Sequence, residues 1–126
     1  MNILNFSHPL TEQQINQISA CLGSRPTQIL DVKTHFNADT PFAEQTQELF
    51  TKLGVSSDSL QQDIWLVVPP ALNYIAAIVL AYLHGRMGHF PSIIRLKPVN
   101  EQFVTTYELA EIMNLEEVRQ TARSER

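Results

Sequence analysis

Ile64-Trp65-Leu66-Val67-Val68 is an unbroken apolar run stopped by Pro69-Pro70, and Ala71 to Leu83 follows with hardly a polar residue. A short continuous run of this kind suits a central parallel strand buried on both faces. The segment after it is apolar on nearly every side, so its helix must be sandwiched within the protein or against a partner. A chain that contains this pair is directed to a sheet covered by helices.

The other elements agree with that plan. Ile3-Leu4-Asn5-Phe6 reads as a first buried strand, broken by Ser7-His8-Pro9. Thr11 and Gln14 form a capping box, and Ile15, Ile18 and Leu22 follow at helical spacing until Gly23. Gln28 to Val32 reads as a second strand. Thr40-Pro41 predicts a helix start with Thr40 as the cap and Pro41 in the first helical position, and Gly54 ends that helix. Residues 55–63 are a polar connection with room for one helical turn. Ser92 to Leu96 is a fourth strand and Phe103 to Tyr107 a fifth, with 107–113 open to strand or helix. Asn114 caps a last helix to about Arg123. Strand-helix three times, then two strands and a helix, predicts one α/β domain over 1–126 with a mainly parallel sheet of four or five strands.

Composition narrows the function classes. The chain is 44% hydrophobic and 17% charged, with a formal net charge of −4. It therefore has no global positive footprint for duplex nucleic acid. The balance is uneven: residues 1–63 hold seven acidic and three basic residues, and residues 64–126 hold six of each. Arg86, Arg95 and Lys97 fall within twelve residues, so a local phosphate site is compatible with the sequence. Cys21 is the single cysteine, which excludes an intrachain disulfide and a zinc-thiolate cluster. The longest apolar run, about twelve residues, is too short to cross a bilayer. The start has no basic region followed by a long apolar stretch, so no signal peptide and a cytoplasmic location are expected.

Ligands of such sheets bind outside the carboxyl ends of the strands. Ser7, His8, Pro9 and Thr11 fall there after strand one, Pro69, Pro70 and Asn73 after strand three, and Arg95-Leu96-Lys97 at the tail of strand four. The first two precede helices, whose free N–H groups attract anions. Ser7 and Thr11 also read as helix caps, and Asn73 as a bond to backbone or to a base edge. Tyr74 and Tyr82 read as packing residues. A second candidate is His84-Gly85-Arg86-Met87-Gly88-His89-Phe90-Pro91, where two glycines frame one guanidinium. It reads as an anion grip or as an ordinary helix end with His84 last and Gly85 as the left-handed cap. In simple topology it lies at the opposite end of the sheet, unless strand four is antiparallel or a second copy brings its loop across. Arg95 suits either phosphate or an acidic neighbour. No metal is expected, because His84 and His89 are five apart with no third ligand close. Ser7 and His8 lack an orienting acid, and neither a Gly-x-Gly-x-x-Gly nor a Walker loop exists.

Taken together, Asn5-Phe6-Ser7-His8-Pro9-Leu10-Thr11, the His84–Pro91 segment and Glu111-Ile112-Met113-Asn114-Leu115 resemble a small CRISPR-associated family of type III systems. The first segment is also similar to stand-alone ring nucleases built on a Rossmann-like, CARF-type fold. The resemblance implies a three-layer sandwich and, as ligand, cyclic oligoadenylate, with cyclic tetraadenylate the leading ring size. It requires no cofactor. A symmetric ring suits a homodimer on its two-fold axis, or a ligand-linked higher homo-oligomer if opposite faces of two copies grip it. Phe90, Pro69 and Pro70 would flank adenines. Three functions stay open: sequestration of the messenger, metal-independent cleavage with Ser7, His8 or His89 as catalytic candidates, and a protein-binding accessory subunit using the 71–83 helix. Under both nucleotide readings, Arg86→Ala is expected to abolish binding and spare the fold.

Overall fold

The computed structural model describes residues 1–126 as an α/β domain with one five-stranded sheet. In chain order the elements are β1 (Asn2–Asn5), α1 (Glu12–Leu22), β2 (Gln28–Asp31), α2 (Phe42–Leu53) and α3 (Ser57–Gln62). They continue with β3 (Trp65–Val68), α4 (Asn73–Met87), β4 (Ser92–Asn100), β5 (Thr105–Asn114) and α5 (Leu115–Ser124). The sheet order is β2-β1-β3-β4-β5; the first four strands are parallel and β5 is antiparallel.

This order dictates where the helices go. The chain steps from β1 to β2 in one direction, then crosses back over β1 to β3 and on to β4. Right-handed crossovers place helices from the two directions on opposite faces. Side-chain packing agrees. Ile3, Leu66, Val68 and Ile94 pack with Ile18 of α1 on one face. Leu4, Trp65 and Val67 pack with Phe50 of α2, Leu60 of α3 and Ile75, Val79 and Leu83 of α4 on the other. β1 and β3 are buried along their whole length, as the apolar run of β3 requires. The winding reverses between β1 and β3, and that is where open α/β sheets leave a crevice.

Local chemistry sets the helix ends. The Thr11 Oγ1 accepts from Gln14 N, and the Gln14 side chain accepts from Thr11 N in return. Gly23 ends α1 at φ 82°. Asn114 caps α5 by accepting from Glu117 N. At α2 the expected cap moves by one residue: Pro41 is the N-cap and Thr40 makes no capping bond. The Thr40 hydroxyl instead accepts from Gln45 Nε2 at 2.8 Å.

Strand β4 is longer than the sequence predicts; β5 starts at Thr105, leaving Phe103 and Val104 outside it, and continues through 107–113 as strand, not helix. β3 pairs with β4 only at Leu66–Ser92 and Val67–Ile93. From Ile94 onward β4 continues with β5 as a two-stranded arm, bulged at Arg95/Leu96. β5 is an edge strand, and α1 covers part of that edge. Gln14 Nε2 donates to Tyr107 O, and Leu109 N donates to Gln17 Oε1, both at 2.9 Å. Side chains that occupy edge groups in this way block further strand pairing.

The largest departure from expectation lies at the end of α4. The helix does not stop at His84. It runs through Gly85 and Arg86 to Met87, and Gly88 is the left-handed cap at φ 82°. Met87 is buried in the core, one further turn of the spacing set by Ile75, Val79 and Leu83, and that burial carries the helix past Gly85. Opposite effects of alanine at the two glycines follow. Neither glycine has an atom within 4 Å of an added Cβ, so only backbone conformation decides. Gly85→Ala should raise stability by about 0.5–1 kcal/mol, as for any helix interior. Gly88→Ala should lower it by about 1 kcal/mol, because the left-handed backbone disfavours Cβ. Denaturant midpoints of the two variants check the pair.

Candidate functional site

Three loops at the carboxyl ends of β1, β2 and β3 border an open crevice of about 490 Å³. Ser7, His8 and Pro9 come from the first loop, Asp31 to His35 from the second, and Pro70, Ala71 and Leu72 from the third. Phe6 and Val32, both buried, supply apolar floor. The volume lies in the usual range for small-molecule sites, about 300–1,000 Å³.

Asn5 organises this crevice. It ends β1, has no exposed surface, and satisfies both faces of its amide. Its Nδ2 donates to His8 O and to Asp31 Oδ1, each at 2.9 Å, and its Oδ1 accepts from Ser7 N at 3.0 Å. One buried amide thus fixes the β1 loop and ties it to the end of β2. Backbone pairing reinforces the link, since Val32 N donates to Asn5 O at 2.7 Å.

The third wall is the start of α4. Leu72 is its N-cap and makes no side-chain capping bond. The Asn73 Oδ1 accepts from Tyr74 N at 2.9 Å. Leu72 is 65% exposed and Tyr74 76% exposed, so the crevice mouth carries apolar surface. Tyr82 is the packing residue expected, stacked on Phe50 with centroids 4.5 Å apart; Tyr74 packs on nothing comparable.

The expected site residues therefore separate into groups. Ser7, His8, Pro9 and Pro70 line the crevice. Thr11 stands beside it with its hydroxyl taken by the capping box, and Pro69 and Asn73 flank it without lining it. The His84–Phe90 segment is elsewhere. Because β3 and β4 are parallel, a segment between α4 and β4 lies at the amino end of the sheet. The antiparallel β4 that would have united the two candidates does not occur.

In that second segment Arg86 is committed to the fold. Its Nε donates to Ser57 Oγ at 2.7 Å, Nη1 to Tyr82 Oη at 3.2 Å and Nη2 to Val55 O at 2.9 Å. The guanidinium also lies 5.8 Å from the Tyr82 ring centre. The fork joins α4 to α3 and its approach, so the expectation that Arg86→Ala spares the fold is corrected. His84 packs on Phe90 with centroids 4.2 Å apart, and His89 Nδ1 lies 3.0 Å from Phe90 O. Arg95 takes the acidic alternative, pairing with Glu111 at 3.2 Å.

Phe90 N donates to Glu116 Oε1, which latches α5 onto this end. Desolvation pushes the Glu116 carboxyl up. The bonds from Phe90 N and Gln120 and the charge and bond of Arg119 together outweigh it and leave the group below the usual glutamate value. A lowered folded value means the latch holds above the unfolded value and is lost as pH falls through the folded one. The Phe90 amide resonance should therefore titrate with a midpoint below that of an ordinary glutamate; a midpoint at or above it would remove the latch.

Residues Asp31 to His35 are what sequence reading missed. Asp31-Val32-Lys33-Thr34-His35 follows a strand as directly as Ser7-His8-Pro9 does, and the carboxyl-end rule applies equally to both. Arg86, Arg95 and Lys97 cluster in the second half of the sequence, away from this loop. No three His, Cys, Asp or Glu side chains come together to hold a metal ion, and no helix is long and apolar enough to cross a membrane. No protein-family model matches the chain, no curated protein matches it, and no solved structure matches it.

Proposed function

We propose that the carboxyl-end crevice binds a cyclic oligoadenylate, with cyclic tetraadenylate as the leading ring, and that the chain lowers the free level of this messenger by sequestration. The carrying observation is an open crevice bordered by three strand-end loops where the sheet winding reverses. Mostly parallel strands in the order β2-β1-β3, with helices on both faces, are also what a Rossmann-like, CARF-type sandwich requires. The segment Asn5 to Thr11, which carries the family resemblance, supplies the first loop and its anchor.

The size of the crevice supports sharing of the ligand. A space of about 490 Å³ takes part of a four-nucleotide ring and leaves the rest outside. Two copies related by a two-fold axis would enclose a symmetric ring with the same residues used twice. Sequestration is preferred over cleavage because no base with an orienting acid is assembled at Ser7 or His8. One stripe of α4 (Ile75, Val79, Leu83 and Met87) is buried in this chain's own core, and its opposite face, with Tyr74, Ala77 and Ala81, is exposed, so the accessory-subunit reading keeps a smaller surface than an all-apolar helix would offer.

Labelled cyclic tetraadenylate mixed with the protein, run on a native gel with product separation from the same tube, tests this reading. A retarded band with intact ring supports it. Linear products at multiple turnover would replace sequestration with ring cleavage, and the absence of both shift and product would remove the nucleotide reading for this ring.

A further inference from the structure

We infer that the phosphate groups of the crevice ligand are bound by Lys33, Thr34 and His35 of the β2–α2 loop, together with His8 of the β1–α1 loop. This rests on the nucleotide reading above and assigns its anion contacts to residues outside the motifs that suggested it.

The chain has nine Lys and Arg residues. Arg25, Arg95, Lys97 and Arg119 are ion-paired with Glu12, Glu111, Glu108 and Glu116. Arg86 donates from all three of its nitrogens within the protein. Lys52 lies on α2 beside Glu44 and Glu48. Arg123 and Arg126 are at the end of α5, which starts from the amino end of the sheet. Lys33 remains. It lines the crevice, its side chain is in no ion pair or hydrogen bond, and it is the one fixed positive charge there.

Its neighbours complete the set. Thr34 brings a hydroxyl donor, and His8 and His35 each bring a ring N–H to the same space. The side chains of His8, Lys33 and His35 are exposed, so none must leave an internal partner to meet a ligand. The single carboxylate of the lining, Asp31, has one oxygen engaged by Asn5 Nδ2. A compact ammonium with several neutral donors is a mode of phosphate recognition that needs no arginine fork. It also fits a chain of net negative charge, because the positive potential is confined to one opening.

Lys33→Ala, Lys33→Arg, His35→Ala and Lys52→Ala variants, each titrated with labelled cyclic tetraadenylate and, in parallel, with adenosine monophosphate followed by amide shifts, test the assignment. Lys33→Ala should weaken ring binding on the order of tenfold, the loss of one charge-assisted contact. His35→Ala should weaken it about threefold to tenfold. Lys33→Arg should restore most of the affinity, and Lys52→Ala should match the parent. Raising the salt concentration should weaken the parent more than Lys33→Ala, a difference that a merely structural role would not produce. Parent-like ring affinity in both alanine variants would overturn the assignment and leave the nucleotide reading standing. If the ring fails to bind but the monophosphate moves the Lys33–His35 amides, the ring reading falls and the anion site stands. If neither probe binds, both fall.

Discussion

Asn5→Ala should cost about 3 kcal/mol of stability and lower Tm by roughly 10 °C, the largest single effect expected near the crevice. The side chain is fully buried and makes three hydrogen bonds. Its removal leaves Ser7 N, His8 O and Asp31 Oδ1 short of a partner at one point and opens a small void beneath the β1 loop. The geometry of His8 against the β2 loop depends on those bonds, so ligand affinity should fall at least tenfold even at temperatures where the variant stays folded. Asn5→Asp distinguishes a packing role from a bonding role. It keeps the shape and the acceptor for Ser7 N, but loses both donors and sets a second carboxylate against Asp31. It should be less stable than the parent at neutral pH, because a carboxylate pair replaces a donor–acceptor pair. Thermal melts over a pH series read both variants; equal stability of parent and Asn5→Ala would remove Asn5 as the organiser.

Arg86→Ala should destabilise the fold by about 2 kcal/mol while leaving ligand affinity within twofold of the parent. The three donors of Arg86 join Ser57, Tyr82 and Val55 to the last turn of α4. Tyr82 in turn stacks on Phe50, and Phe50 meets Phe6 with centroids 6.0 Å apart. Loss of the guanidinium thus loosens α3 and one side of the aromatic packing. Arg86→Lys should recover little of the loss, because an ammonium cannot reach three partners in the geometry of the fork. Denaturant midpoints and ring titrations of the same preparations check both parts. A stable Arg86→Ala protein that no longer binds would return the site to the amino end of the sheet.

Much of the architecture was legible because its causes are local. The apolar run at Leu66–Val68 reports a strand buried on both faces, and Thr11 with Gln14 reports a helix start from side-chain chemistry alone. The end of α4 was not legible for the opposite reason. Gly85 carries a local stop signal, but burial of Met87 against the core outweighs it, and that burial exists only after the fold has formed. The same holds for β5, part of whose edge is covered by Gln14 and Gln17, 93 and 92 residues away in the chain.

The candidate site divides along the same line. Ser7, His8 and Pro9 could be placed from sequence because a strand followed by a capped helix marks a carboxyl-end loop. Lys33 and His35 lie after an equally readable strand, yet their standing depends on which cations have partners, and pairing across β4 and β5 is a property of register. Arg86 shows the converse: its glycine-flanked setting suggested a mobile grip, and a helix turn with three internal acceptors replaced it.

The most direct measurement is a map of backbone amide shifts as cyclic tetraadenylate is added to the isotope-labelled protein. Ser7, His8, Lys33, Thr34, His35 and the first turn of α4 should move together and saturate together, with Arg86 to Phe90 unmoved. Saturating shifts confined to Arg86–Phe90, with the carboxyl-end loops unmoved, would contradict this placement of the site.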